Sequence, residues 1–133
     1  MRVVAIDGPA ASGKSSTAKA VARALGWHHL DSGALYRTLT RVALDAGLDP
    51  DHLDVDALLA RADRRGLGLR PEGEDFVPLL DGMPAEHLIR TPEVTAAVSA
   101  VSAVPAVRDW ANARMRALAE AGVPIVVDGR DIG

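Results

Sequence analysis

Cysteine is absent from this sequence of 133 residues, and its absence excludes several kinds of chemistry. Without cysteine the chain forms no disulfide framework, no thiolate zinc site and no thiol nucleophile. Aromatic residues make up only 3% of the chain, so a surface of stacked aromatics for single-stranded nucleic acid has almost no material. Because a cysteine-free chain is easiest to reconcile with a reducing compartment, we expect a cytoplasmic protein.

An excess of positive charge and a long hydrophobic run are also missing. The 15 basic and 18 acidic residues give a net charge of −3, which provides no positive field for a long nucleic acid. The longest charge-free stretch, Val94–Val107, is shorter than the roughly 18 residues that a membrane helix needs. The apolar run Val3–Ile6 is far too short for the core of a signal peptide. We therefore expect a protein that binds neither long nucleic acid nor membrane.

The apolar residues that are present follow the pattern of an α/β fold. Hydrophobic residues make up 48% of the chain, and its length suits one globular domain. The short apolar run Val3–Ile6 predicts a strand buried on both faces of a parallel sheet, and Val123–Val127 predicts another buried strand. Trp27–Leu30 predicts a second short strand between them in the chain. Helical spacing predicts flanking helices near residues 18–25, 35–46, 54–64, 92–101 and 107–118. Thr91-Pro92 marks a helix start, and Pro105 should end or kink that helix.

The segment between the third and fourth of these helices has a different character. Two short apolar pieces, at 67–69 and 76–80, precede Asp81-Gly82, which is placed as a hairpin turn. Pro78 lacks the N–H that a ladder requires, so it should confine its strand to an edge or a bulge. We predict a small inserted antiparallel β segment outside the parallel sheet.

The clearest chemical signal lies between the first predicted strand and the first predicted helix, where residues 8–15 match the pattern G-x-x-x-x-G-K-[ST]. Glycines let successive backbone N–H groups face phosphate oxygens, and the helix N-terminus adds partial positive charge. Lys14 would reach the β and γ phosphates of a nucleotide, and the Ser15 hydroxyl would bind Mg²⁺. We predict a nucleotide-binding P-loop that consists of Gly8, Pro9, Ala10, Ala11, Ser12, Gly13, Lys14, Ser15 and Ser16.

Three further side chains are expected at the carboxyl edge of the same sheet. Asp128 ends the third apolar run, where a P-loop fold carries an acidic residue that holds Mg²⁺ directly or through water. Asp128-Gly129 also fits an ordinary strand-end turn. Arg37 and Arg130 can bind phosphate bidentately, which indicates a second phosphate-bearing substrate opposite the nucleotide. All but two of the 15 basic residues are arginine, however, so an arginine alone is weak evidence.

Several other polar residues fit structural roles. Tyr36 suits a half-buried packing position. His28 and His29 have no cysteine and no spaced carboxylate partner, so we expect no metal site there. A solvated face and helix caps account better than a calcium loop for the carboxylates Asp45, Asp49, Asp51, Asp54 and Asp56.

Four blocks of the sequence together resemble bacterial cytidylate (CMP) kinases. The blocks are Ile6–Pro9 leading into the P-loop, Leu30–Arg37, Ile89–Val94 and Asp128–Gly133. A P-loop alone fits many families, whereas Asp-Ser-Gly-Ala-Leu-Tyr-Arg and Asp-Gly-Arg-Asp-Ile-Gly together are highly specific. The blocks extend from one end of the chain to the other.

The resemblance implies transfer of the γ-phosphoryl group of ATP to CMP or dCMP, with Mg²⁺. It implies catalytic roles for Lys14, Arg37 and Arg130, of which the two arginines would grip the CMP phosphate. Ser99, Arg108 and Asp131 would contact the cytosine. The resemblance places Asp31, Ser32 and Tyr36 in the nucleoside pocket, and Asp128 is counted with the substrate-binding residues.

The resemblance also bears on domain organisation. We predict a P-loop NTPase-type fold in one domain, with residues 1–65 as the first part of the core, 66–90 as the insertion and 91–133 as helices and the third core strand. In the family, further strands, an arginine-bearing lid and an adenine-side loop follow Asp-Gly-Arg-Asp-Ile-Gly. We therefore expect the chain to be truncated at its C-terminus, and we expect a monomer.

Three alternatives remain open at this point. The chain fits a P-loop kinase that acts on a different nucleoside monophosphate or on a small alcohol. It also fits an inactive fragment of such a kinase. A regulatory nucleotide switch would need a guanine-reading motif, and the chain contains no Asn-Lys-x-Asp.

Overall fold

The structure, a computed structural model, describes residues 3–7 and 14–129 of the chain. The elements in chain order are β1 (Val3–Asp7), α1 (Lys14–Leu25), β2 (His28–Asp31), α2 (Ser32–Asp45), α3 (Val55–Arg64), β3 (Gly68–Glu72), β4 (Asp75–Leu80), β5 (Met83–Pro84), α4 (Glu86–Ile89), α5 (Pro92–Ser102), α6 (Pro105–Glu120) and β6 (Ile125–Gly129). These elements confirm the predicted α/β class.

The described residues form two compact units. Unit 1 contains those up to residue 33, residues 71–76 and those from 112 onward, and unit 2 contains residues 34–70 and 77–111. The boundaries predicted after residues 65 and 90 stay predictions.

Unit 1 is built on a parallel sheet with the strand order β1-β6-β2. The register pairs Val3 with Ile125 along β1 and Asp31 with Asp128 along β2. The central strand β6 is buried from Ile125 to Asp128. It confirms a buried strand, but it begins after Val123 and Pro124 and extends to Gly129, beyond the predicted Val123–Val127. One face of the sheet packs against α1, where the small side chains of Ala18 and Ala22 meet the core, together with Val126, Val4, Ile6, Val21 and Trp27.

The first strand corrects the sequence-based expectation, because β1 is not buried on both faces. Val4 and Ile6 are half-buried against the α1 face, whereas Val3 is 42% exposed and Ala5 is also exposed. Within the described residues β1 lies at the edge of the parallel sheet, and only one of its faces is covered. An apolar run contains no information on which face a helix covers, so the sequence could not separate the two cases.

Unit 2 is largely helical, and its helices begin and end at the predicted signals. Asp54 caps α3 by accepting a hydrogen bond from Ala57 N, and Thr91 caps α5 by accepting one from Val94 N. The break between α5 and α6 comes just before Pro105. The short helix α4 was not predicted, because four residues show no apolar period. No helix of the described ranges is both long and apolar enough to cross a membrane.

The predicted antiparallel segment is present as a sheet with the strand order β3-β4-β5. Asp81 and Gly82 connect β4 to β5 with φ angles of 56° and 78°, the pattern of a type I′ turn. Asp81 is also tied to α3, since Arg65 Nη2 lies 2.8 Å from Asp81 Oδ2. The hydrogen bond and charge of Arg65 lower the pKa of Asp81 below its ordinary value. The predicted hairpin turn at Asp81-Gly82 is thus confirmed, and the ion pair with Arg65 holds Asp81, the first of the two turn residues.

Pro78 does not mark an edge strand, which is a second correction. It lies in β4, the middle strand of the antiparallel sheet. Its carbonyl accepts a hydrogen bond from Ala85 N at 2.8 Å, which shows that its backbone faces the β5 side. Because β5 ends at Pro84, the missing N–H of Pro78 falls where regular pairing has already stopped.

Substitution of Gly82 tests the hairpin. Gly82→Ala should lower the free energy of unfolding by about 1–2 kcal/mol, because an L side chain is strained in the left-handed backbone. Space is not the cause, since nothing lies within 4 Å of the added Cβ. Gly68→Ala is the matched control, because Gly68 has no positive φ and the nearest atom, Gly66 O, is 3.7 Å away. Urea unfolding of both variants measures the difference, and equal stabilities would contradict the turn.

Candidate active site

Two carboxylates and a helix start come together at the carboxyl ends of β2 and β6. Asp31, the last residue of β2, pairs in register with Asp128 of β6, so both side chains lie on the same face of the sheet. Asp31 Oδ1 accepts a hydrogen bond from Gly33 N at 2.9 Å, which turns the chain into α2. Ser32, the first residue of α2, is buried. The structure therefore brings together Asp31, Ser32 and Asp128.

The turn after β2 leaves little space for a side chain at position 33. A Cβ at Gly33 would lie 3.0 Å from Asp31 Oδ1, which is tighter than nine in ten real Cβ contacts. A larger residue would displace the Asp31 carboxylate. The Asp-Ser-Gly sequence thus fixes the position of one carboxylate at this edge.

His29 corrects the sequence analysis, which gave it no carboxylate partner, because the structure places it beside two carboxylates. Its buried ring places Nε2 at 2.9 Å from Asp128 Oδ2 and Nδ1 at 3.5 Å from Asp75 Oδ1. Burial lowers the pKa of His29, but the hydrogen bond and charge of Asp128, together with Asp75 and Asp31, outweigh it and raise the pKa above its ordinary value. The available signal was the alternation of β2, which places His29 and Asp31 on one face. Asp75 is distant from His29 in the sequence, and no sequence pattern indicated that the two side chains meet.

The structure shows the surroundings of the Asp128 side chain. Asp128 lies within β6 and is 2% exposed. Its carboxylate is hydrogen-bonded to His29. A charged group held in this way at the edge of a parallel sheet lies where ligands of such folds bind.

Arg37 of α2 is held in unit 2 by two neutral acceptors. Its Nη1 donates to Thr95 Oγ1 at 2.9 Å and to Ile89 O at 3.3 Å. Arg41, one turn later, differs because its Nε lies 3.1 Å from Asp45. Among the described residues Arg37 has no carboxylate partner, so its positive charge is not balanced within the described chain.

The other predicted site residues fall into three groups. Ser99 on α5 and Arg108 on α6 are exposed, and Tyr36 is half-buried on α2. Lys14 and Ser15 begin α1, followed by the exposed Ser16. The remaining predicted residues lie outside the described residues: Gly8, Pro9, Ala10, Ala11, Ser12, Gly13, Arg130 and Asp131.

Comparison with known proteins identifies the family of the chain. The profile of the cytidylate kinase family matches residues 4–133. The chain belongs to the cytidylate kinase family. Its extent, from the first strand to the end of the chain, includes the P-loop sequence, Asp31–Arg37 and Asp128–Asp131.

Individual cytidylate kinases support the same assignment. The enzyme of Mycobacterium avium is 47% identical over 131 residues, which are 98% of this chain and 57% of the relative. The cytidylate kinase of Thermus thermophilus is 46% identical, with 98% and 61% covered, and that of Limosilactobacillus reuteri is 45% identical, with 98% and 56% covered. The chain thus spans between 56% and 61% of the length of these three relatives.

The His29–Asp128 pair predicts a pH-dependent stability. Because the pKa of His29 is raised in the folded state, its stabilising contribution is complete below the unfolded pKa of about 6.5 and is lost as pH rises through the folded value. His29→Gln should therefore cost about 1.5–3 kcal/mol below pH 6.5 and less in mildly alkaline solution. Urea unfolding of wild type and variant across this pH range measures the cost.

His52→Gln serves as the control, because the His52 side chain is 85% exposed and its loss should change stability little. If the cost of His29→Gln stayed constant or grew with pH, the buried ion pair would not be the cause.

Proposed function

We propose that the full-length protein transfers the γ-phosphoryl group of ATP to CMP or dCMP, giving CDP or dCDP. The observation that carries the proposal is the family match over residues 4–133, which includes both highly specific sequence blocks. The relatives in Mycobacterium avium and Thermus thermophilus are named cytidylate kinase. The two carboxylates at the β2–β6 edge and the unbalanced charge of Arg37 supply groups that this reaction requires.

Phosphoryl transfer between two nucleotides is mainly a problem of negative charge. In the proposed site Lys14 binds the β and γ phosphates of ATP, and Arg37 and Arg130 hold the acceptor phosphate. These cations neutralise repulsion between the substrates and align them for in-line transfer. No side-chain base is required, because the attacking phosphate oxygen is already ionised.

Mg²⁺ fits the groups available at this edge. It prefers oxygen ligands and commonly takes one or two carboxylates, with phosphate oxygens and water completing the shell. Asp31 and Asp128 supply carboxylates on adjacent strands. The described part of the chain contains no cluster of three potential metal-binding side chains, so phosphate oxygens and water would have to supply the other ligands. We assign Ser15 and Asp128 as the residues that would hold Mg²⁺ with ATP. When bound, the ion screens the charge of the phosphate oxygens.

Selection of the base is assigned to Ser99, Arg108 and Asp131. Cytosine has an exocyclic amino donor where uracil has a carbonyl acceptor, so the Asp131 carboxylate would accept from cytosine and repel uracil. Asp31, Ser32 and Tyr36 would contact the nucleoside. Rates of phosphoryl transfer from ATP to a panel of nucleoside monophosphates and small alcohols test this assignment. A higher rate with another acceptor than with CMP or dCMP would indicate a kinase of different specificity.

Loss of the P-loop lysine tests the phosphate-binding assignment. Lys14→Ala in the full-length protein should lower the rate of phosphoryl transfer at least about a hundredfold, because it removes a charge from the most negative part of the transition state. The matched control is Lys19→Ala, since Lys19 is the other lysine and is exposed on the same helix. Steady-state kinetics with circular dichroism of each variant gives the comparison. Near-normal turnover of a folded Lys14→Ala protein would remove the P-loop assignment.

Replacement of Asp131 tests base selection. Asp131→Ala should reduce kcat/KM mainly for CMP and narrow the CMP/UMP ratio, since the pocket then loses the acceptor specific to cytosine, worth about 1–3 kcal/mol. The competing explanation is that Asp131 only orients Arg130, in which case both nucleotides suffer alike. An unchanged ratio with both efficiencies reduced would therefore leave Asp131 as a support for Arg130.

A further inference from the structure

We propose that Thr95 is the positioning residue of Arg37 and that it sets the affinity for the acceptor phosphate. The proposal rests on the proposed CMP kinase function and adds to it a residue on α5 that none of the four sequence blocks singles out. It stands on the 2.9 Å hydrogen bond between Arg37 Nη1 and Thr95 Oγ1.

The two hydrogen bonds of Arg37 both come from Nη1 and leave the other two nitrogens of the guanidinium available to a ligand. Nη1 has two hydrogens, and its two acceptors are Thr95 Oγ1 and Ile89 O. Nε and Nη2 make no hydrogen bond within the described residues. These two nitrogens form a planar edge that fits two oxygens of one phosphate. The hydrogen bonds of Nη1 thus fix the plane of the guanidinium and, with it, the direction in which Nε and Nη2 point.

The acceptors lie next to buried residues of α4 and α5. Ile89 is fully buried at the end of α4, and Val94, the neighbour of Thr95, is fully buried in α5. Thr91 caps α5 one turn before Thr95. On the donor side, Leu35 and Leu39 bury the α2 backbone around Arg37. The bond between Arg37 and Thr95 is itself exposed, but the helices that carry its two ends are anchored by these buried neighbours, so the bond can position the arginine.

The charge of Arg37 supports a ligand role. Arg41 and Arg65 in the same unit each lie close to the carboxylate of Asp45. Arg37 instead contacts a hydroxyl and a carbonyl, which orient the guanidinium but do not neutralise it. A neutral clamp of this kind keeps the full positive charge for an incoming anion.

The hydroxyl of Thr95 can be removed with little change of shape. Thr95→Val in the full-length protein should raise the KM for CMP about 3- to 10-fold, the effect of one lost hydrogen bond, and leave the KM for ATP unchanged. Thr95→Ser retains the hydroxyl and should restore the wild-type KM. Because Thr95 is exposed, the variants should fold, and Ala96→Val controls for a β-branched residue at the neighbouring exposed position.

Cytidine separates the phosphate from the rest of the nucleotide. Thr95→Val should weaken binding of CMP, measured by calorimetry, but leave cytidine binding unchanged, because cytidine has no phosphate for Arg37. Adding Thr95→Val to Arg37→Ala should cause no further loss, since the residue through which Thr95 acts is gone. Equal weakening of CMP and cytidine, or an additive loss in the double variant, would overturn the positioning role.

Failure of this inference is distinguishable from failure of the proposed function. If wild type phosphorylates CMP and Arg37→Ala weakens CMP, but Thr95→Val does not, only the role of Thr95 is wrong. If wild type shows no transfer to CMP or dCMP, or Arg37→Ala leaves CMP binding unchanged, the assignment of the acceptor site itself fails.

Discussion

The parallel pairing of β6 with both β1 and β2 is the constraint on which the rest of unit 1 depends. β6 is the last strand of the described residues, yet it lies between the first two, so chemistry from distant parts of the sequence meets at one edge. The register sets Asp128 beside Asp31 and leaves little freedom, because a shift of one residue would turn the Asp128 side chain to the other face. Burial of Ile125, Val126 and Val127 holds that register.

The edge of β2 that does not pair with β6 is covered by the turn between β3 and β4. His29 N donates to Glu74 O at 2.6 Å, and Arg23 lies 3.3 Å from the Glu74 carboxylate. These contacts satisfy part of a strand edge that would otherwise be open to other chains. Asp75, the first residue of β4, also lies beside the ring of His29. The buried side chain of His29 therefore connects Asp75 with Asp128. The turn between β3 and β4 is thus both a cover for the edge of β2 and a support for its polar residues.

Charged side chains of the described residues are used in two different ways. Arg65 is bound by the carboxylates of Asp81 and Asp45, which raise its pKa, and His29 is bound by Asp128 and Asp75. Such groups are internally compensated and hold the fold together. Arg37 is oriented by neutral acceptors, which leaves its charge for a ligand. This contrast, rather than the number of arginines, is what distinguishes a candidate binding residue in a chain rich in arginine.

The sequence by itself determined the α/β class, the helix starts at Asp54 and Thr91 and the Asp81-Gly82 turn, because each depends on residues that are close in the chain. It could not show that β1 is covered on one face, that Pro78 lies where pairing ends, or that β2 begins at His28. Nor could it connect His29 with Asp128 or Arg37 with Thr95. Those pairs are separated by 99 and 58 residues, and only the packing of strands and helices brings their atoms within hydrogen-bonding distance.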